Sequence, residues 1–300
     1  MLPARISVHA WFTTALIGLA ALGFALAILL EARTDTEARV ASGRPLRVGY
    51  ALEAPYAMLD ERNQVIGEAP AVFNAALREA GLPPAVWVHA DFGNLLDELE
   101  SGRIDVIAAG MFITPERGKR VLFSRPTARV DSGLLVRRGQ APLARYIDFL
   151  RGPQLGVLRN SVEETRARRA GLDERQLRVY PDPATAIAAL RAREIDALAL
   201  SSVSVNYLAA HDADAALAAL PGFDTQAGAA GLPAFQWRHD AAALQRRVDL
   251  ALEHYLGSPE HLAAVRGYGF DETHILPVSA AAKAPADDTP APTAPTSTAR

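Results

Sequence analysis

One stretch constrains the fold more than any other: Arg103–Ser124, RIDVIAAGMFITPERGKRVLFS. Ile104 to Ala109 is a short, nearly unbroken apolar run, the pattern of a strand covered on both faces. Gly110 then releases the backbone, and Met111, Phe112 and Ile113 follow. Thr114-Pro115-Glu116 reads as a helix start, with a hydroxyl cap, proline at the first helical position and an acid in the first turn. Arg117 falls in that turn, near the carboxyl end of the strand, where open α/β sheets bind small ligands. A guanidinium beside free helix N–H groups can pair both oxygens of a carboxylate at once. Phe112 adds an aromatic face. Taken alone, a core phenylalanine and a solvated arginine would explain the same residues.

The bulk properties remove several classes. Three hundred residues, half of them apolar, are enough for a two-lobed core plus a membrane or export segment. A formal net charge of −3 and the absence of long basic runs give no reason to expect nucleic acid. Cysteine is absent, which excludes disulfides, thiolate chemistry, cysteine-ligated zinc and a lipidated cysteine. The seven histidines (9, 89, 211, 239, 254, 261 and 274) lack ligand-type spacing. His254 and His261 could share a helical face, but surface positions are the reading taken. Neither metal nor cofactor is expected.

Ala10–Leu30 is an apolar run broken only by Thr13 and Thr14, long enough for a membrane span of about 20 residues. Arg5 precedes it while Glu31 and Asp35 follow, so positive-inside logic leaves residues 1–9 in the cytoplasm and the remainder outside it. An uncleaved anchor is the reading taken, with a signal cleaved after Val40-Ala41-Ser42 as the alternative. Residues 31–44 read as a polar spacer with no core pattern. Pro45–Tyr50 is then the first strand and Ala51–Tyr56 the loop at its carboxyl end. Helices are expected over Ala71–Ala80, Ala184–Leu190 and Ala241–Leu256, and strands over Ala85–His89 and Leu155–Leu158. Ser161 with Glu164 three residues on forms a capping box. The Ala/Pro/Thr-rich residues 277–300 have too little apolar area to offset ordering entropy, so that tail is expected to be disordered.

An internal echo supports two lobes. Leu99-Glu-Ser-Gly-Arg-Ile-Asp-Val-Ile-Ala-Ala-Gly110 parallels Leu190-Arg-Ala-Arg-Glu-Ile-Asp-Ala-Leu-Ala-Leu-Ser201, each a helix end, a tight turn and a buried strand. The expected architecture is α/β, with two α/β lobes joined by two crossing strands and a cleft between them. Residues 45–136 and 223–276 would make lobe 1, residues 137–222 lobe 2, and Ser132–Arg138 the first crossing strand.

G-M-F-I-T-P-E-R followed by V-L-F-S-R-P resembles the central signature of the bacterial extracellular solute-binding proteins of the polar-amino-acid class. Leu46-Arg47-Val48-Gly49-Tyr50 and Ala54-Pro55-Tyr56 resemble that family's first strand and aromatic loop. The resemblance runs from about Pro45 to Ile275. It implies a periplasmic-binding-protein-like fold with the ligand cleft between the lobes, and a monomeric, non-enzymatic periplasmic protein that closes on a small zwitterion and delivers it to an ABC permease. Carried over residue by residue, it assigns Arg117 to the ligand carboxylate, with Thr114, Asn160 and Ser161 supporting the anion site. Where the family usually has an acid for the ligand ammonium, this chain has Ser201. Glu53, Tyr56, Phe92 and Phe112 instead offer an acid and three aromatic faces, which attract a delocalised cation. E-A-P-Y, D-F-G and S-V-S-V-N-Y-L are further similar to ectoine- and hydroxyectoine-binding proteins, with Asn206 as a second-lobe candidate. A polar amino acid is the alternative ligand, and a membrane-tethered sensor the alternative role. A dehydratase on the same fold would need an acid–base pair. Glu53 is the only clear cleft acid in the sequence.

Overall fold

In a computed structural model of the chain, residues 36–140, 143, 145–223 and 230–276 are described, together with residues 18, 19 and 23. The bulk of the hydrophobic segment Ala10–Leu30 and the whole tail 277–300 therefore lie outside the described residues. Among the described residues no helix is long and apolar enough to cross a membrane.

In chain order the strands are β1 (Arg47–Tyr50), β2 (Met58–Leu59), β3 (Val65–Ile66), β4 (Val86–His89), β5 (Val106–Ile107), β6 (Leu122–Phe123), β7 (Ser132–Arg137), β8 (Leu155–Leu158), β9 (Leu177–Tyr180), β10 (Ala197–Ser201), β11 (Leu217–Pro221) and β12 (Gln236–Trp237). The helices are α1 (Thr36–Ala41), α2 (Glu68–Glu79), α3 (Leu95–Glu100), α4 (Pro115–Gly118), α5 (Val162–Arg169), α6 (Pro183–Arg191), α7 (Ser202–Ala210), α8 (Ala242–Tyr255) and α9 (Pro259–Arg266). Two five-stranded sheets result, in the orders β4-β1-β5-β12-β6 and β11-β7-β10-β8-β9, with β2 and β3 forming a small hairpin.

The sequence echo reappears as matched sheet geometry. In the first sheet β1 lies parallel between β4 and β5; in the second β8 lies parallel between β9 and β10. Each repeated strand then meets an antiparallel neighbour, β12 against β5 and β7 against β10. The repeated Ile-Asp pair has a physical role. Asp105 accepts the backbone N–H of Arg47 at 2.8 Å, and Asp196 accepts that of Gln154, also at 2.8 Å. Each carboxylate thus satisfies a donor at the start of the adjacent parallel strand that the ladder leaves over. An apolar side chain there would leave that donor without its partner.

Three expectations need correction. Ser132–Arg137 does not cross between lobes: it is paired along its length with β10 and β11 in the second sheet. Val130 and Gly231 instead exchange backbone hydrogen bonds where the two connecting segments run side by side. The polar stretch before the first strand is not featureless, because residues 36–41 form α1 and bury Thr36 and Val40. Charge, rather than a run of apolar residues, fastens it: Arg39 donates to Asp105 at 2.8 and 3.0 Å, and Glu37 accepts the Ala243 N–H. His261 is also not on the surface. It is fully buried, its Nδ1 takes the Gly257 N–H at 3.0 Å, and burial pushes its pKa down to about 4.

The core of the first lobe lies on both faces of its sheet. Phe73 from α2 and Val248 and Leu252 from α8 pack with Trp237 on one face, while Leu95 and Leu99 from α3 pack with Ile104 and Ile107 on the other. The second lobe repeats this, with Phe149, Val157 and Ala199 on one face and Leu190, Ile195 and Leu198 on the other. Covered on both sides, the strands can be apolar throughout, and their carboxyl ends are left to carry polar chemistry.

Candidate ligand cleft

The carboxyl ends of β1, β5, β8 and β10 converge on one small, partly enclosed cavity. Its walls are Glu53, Tyr56, Phe92, Gly110, Phe112 and Arg117 from the first lobe, and Leu158, Ser161, Val162, Glu163, Leu200 and Ser201 from the second.

Arg117 sits where the sequence puts it. Thr114 caps α4, its hydroxyl accepting the Arg117 N–H at 3.2 Å, so the guanidinium rises from the first turn beside the end of β5. Arg117 is 7 % exposed, and its guanidinium donates to Phe112 O at 2.7 Å and to Asn160 O at 2.9 Å. Burial pulls its pKa down to about 10, with the charges of Glu163 and Glu116 opposing, so it is cationic at neutral pH. Phe92 lies over it at 5.9 Å from ring centroid to guanidinium carbon. That ring face therefore braces the arginine, where the sequence reading reserved it for the ligand cation.

The other two rings are held by glycine backbones. Gly110 has φ +66°, and a Cβ there would stand 2.3 Å from Tyr56 Cγ; a Cβ at Gly231 would stand 2.3 Å from Phe112 Cε2. Neither contact is tolerable, so these positions need glycine for close approach, and Gly110 needs it for its backbone angle too. Tyr56 also packs edge-on against Phe270 at 5.7 Å. It is mainly a core ring whose rim reaches the cavity, and its buried hydroxyl lies beside Ser201.

Glu53 is buried and accepts a hydrogen bond from Ser204 Oγ at 3.3 Å across the cleft. Burial first, and the nearby charge of Glu163 second, push its pKa up to about 8. Ser201 caps α7: its hydroxyl accepts the Ser204 N–H at 3.2 Å and donates to Ser204 Oγ at 3.0 Å. Ser161 caps α5 by accepting the Glu164 N–H at 3.0 Å, but the expected capping box is not closed: the Glu164 carboxylate accepts the N–H of Asn160, one residue ahead of the cap, instead of that of Ser161. Both serines therefore mark helix N-termini aimed at the cavity, which favour negative charge.

The cavity brings together seven of the residues singled out from sequence: Glu53, Tyr56, Phe92, Phe112, Arg117, Ser161 and Ser201. Thr114 and Asn160 stand behind it. Asn160 links the lobes, its Nδ2 donating to Gly93 O at 2.8 Å while its carbonyl receives Arg117. Asn206 is exposed on α7 and lies apart from the cavity wall. Glu163 is the residue that sequence reasoning missed. It follows Ser161 by two positions, is buried in the second-lobe wall, and has its pKa raised by burial against the pull of Arg166 and Arg117. The available signal was the Glu163-Glu164 pair: Glu164 turns back to the Asn160 N–H, which leaves Glu163 on a different face of the helix. Among the described residues no cluster of His, Asp or Glu is placed to hold a metal ion.

Two lobes meet over a buried cation, two acids and two helix N-termini, an arrangement suited to a small charged solute. By sequence, residues 46–266 match the bacterial extracellular solute-binding proteins, family 3, and the chain belongs to that family. A probable amino-acid ABC transporter periplasmic-binding protein of Sinorhizobium fredii is 26 % identical over 243 residues, 79 % of each chain. Among solved structures, EhuB in complex with hydroxyectoine superposes with a TM-score of 0.73 at 25 % identity, covering 82 % of this chain and 94 % of that one. The arginine-, lysine-, histidine-binding protein ArtJ of Geobacillus stearothermophilus shares the fold, with a TM-score of 0.69 at 21 % identity over 76 % of this chain and 96 % of its own.

Proposed function

We propose that this chain is the periplasmic solute-binding component of an ABC uptake system and that it captures a compact zwitterion, ectoine or hydroxyectoine, by closing its lobes. The observation that carries the reading is the placement of Arg117. It is buried between the lobes, it keeps N–H donors beyond the two given to backbone carbonyls, and it shares its cavity with an acid and aromatic surface. In this reading the ligand carboxylate sits against Arg117 and the N-terminus of α5. The ligand cation lies toward Glu53 and the rims of Tyr56 and Phe112. Ser201 carries no charge and spends its hydroxyl on α7, so the usual partner of a primary ammonium is missing from that position. The hydroxyectoine complex of EhuB adds support.

A polar amino acid is the second reading, favoured by the amino-acid assignment of the Sinorhizobium relative. A thermal-shift screen of compatible solutes and amino acids separates the two, because a ligand bound only to the folded state raises its melting point. Ectoine or hydroxyectoine is expected to give the largest shift and micromolar or tighter binding by calorimetry. Stabilisation by glutamine, arginine or histidine without any by ectoine would overturn the ligand assignment while leaving the solute-binding role in place.

A further inference from the structure

The buried acids of this chain have different surroundings. Asp105 is matched by Arg39 and Arg47. Glu68 is buried at the start of α2, near Thr127, and does not line the cavity. Glu53 and Glu163 do line it, one from each lobe, and among the described residues Arg117 is the one cation in the wall they share.

We infer that Glu163 is the second-lobe half of a two-sided acid clamp, so that the solute's cationic group must present N–H donors on two opposite sides. The inference rests on the zwitterion-binding reading above and narrows its substrate class to amidinium or guanidinium carboxylates, as against quaternary ammonium ones.

The groups facing the pair can be named. Glu53 meets the Ser204 hydroxyl, the edge of Tyr56 and the charge of Glu163. Glu163 meets its own backbone N–H, the Ser161 hydroxyl, Arg117 and Arg166. Arg166, a turn further along α5, donates to Ser132 Oγ at 2.7 Å, and two of the Arg117 donors go to backbone carbonyls. When the ligand carboxylate takes the remaining Arg117 donors, Glu163 loses part of its counter-charge, and Glu53, which burial keeps protonated, can ionise against an incoming cation. A delocalised planar cation with N–H groups on both flanks would donate to each acid and spread its charge between them. A trimethylammonium group offers charge without donors, so both carboxylates would lose their water and gain no hydrogen bond in its place. Burial has already raised the pKa of each acid, consistent with a site that awaits a positive charge.

The test is calorimetric titration of the full chain with ectoine, an amidinium carboxylate, and with glycine betaine, a quaternary ammonium carboxylate. The wild type should bind ectoine at least 100-fold more tightly than glycine betaine. Glu163→Gln should weaken ectoine binding at least tenfold, whereas Glu163→Asp, which keeps the charge, should preserve the preference for ectoine. An unchanged melting temperature of the ligand-free variants confirms that the fold is retained. Equal affinity of the wild type for the two solutes, or full ectoine affinity in Glu163→Gln, would overturn the clamp and leave the zwitterion reading standing. Binding of neither solute, with a polar amino acid that lacks a guanidinium, such as glutamine, bound instead, would remove the reading on which the clamp rests.

Discussion

Arg117 does two jobs with one side chain: it carries the positive charge of the cavity and ties the lobes together through Asn160 O. Arg117→Ala should therefore abolish measurable solute binding, a loss of at least 100-fold by calorimetry. Arg117→Lys should recover little of it, because an ammonium cannot reproduce the planar fork. Gly110→Ala tests the aromatic wall separately. Its methyl group would meet the Tyr56 ring at a backbone angle that alanine adopts poorly, so thermal unfolding should show a loss of about 1–3 kcal/mol. Residues with a local grammar were legible in the sequence. The Thr114 cap, proline and arginine form one helix start, and Ser161 with Glu164 forms another. Glu163 was not legible, because its importance comes from facing Glu53 across 110 positions of chain, and the same acid on another helix would be a solvated surface group. Asn206 failed for the opposite reason: Ser201 already caps the helix, which leaves Asn206 on its outer face.

Among the elements, the Ile-Asp turn before each buried strand is the unit that repeats. Asp105 has no exposed side-chain area and is held by Arg39 and by Arg47, so removing its charge leaves two guanidinium groups and a backbone N–H short of an acceptor. Asp105→Ala should cost about 3–5 kcal/mol in urea-induced unfolding. Burial alone would raise this carboxyl's pKa, but the hydrogen bonds and charges of Arg47 and Arg39 outweigh burial and hold it below its usual value. A depressed folded-state pKa gives stability that is fully present above the unfolded value of about 4 and lost as pH falls through the folded one. Asp105→Asn should accordingly flatten the acid limb of the stability curve. The helix α1 belongs to this unit as well. Arg39→Ala should lower stability by about 1–3 kcal/mol, and a chain beginning at residue 43 should melt below one beginning at residue 36. The sequence concealed α1 because its attachment is by ion pairs to distant residues, which leave no periodic apolar pattern.

On the scale of the whole molecule, closure is held by a few polar contacts spanning the lobes: Arg117 to Asn160, Asn160 to Gly93, Ser204 to Glu53, and Arg169 to Glu116 at 2.9 Å. Each is modest, so a ligand making contacts with both lobes can set the balance between open and closed forms. Glu53 makes that balance sensitive to pH. Its pKa of about 8 in the closed form lies above that of a solvated glutamate, so the closed form holds a proton that an open, hydrated cleft releases. Closure of the empty protein is therefore favoured as pH falls from about 8 toward about 4.5. Small-angle scattering of ligand-free protein should give a smaller radius of gyration at pH 6 than at pH 9, and Glu53→Gln should diminish the difference; equal radii in the wild type would refute the coupling.

The two-lobed architecture was readable because both lobes use the same strand and turn grammar, whereas the exact point of crossing was not, since a strand's sheet membership is decided by its partners. The most direct measurement of the central claim is a crystal structure of the protein grown with ectoine. The account predicts the carboxylate within about 3 Å of the Arg117 guanidinium and the amidinium ring between Glu53 and Glu163, beside Tyr56 and Phe112. A ligand bound outside this cavity, or turned so that its carboxylate lies against the two acids, would contradict it.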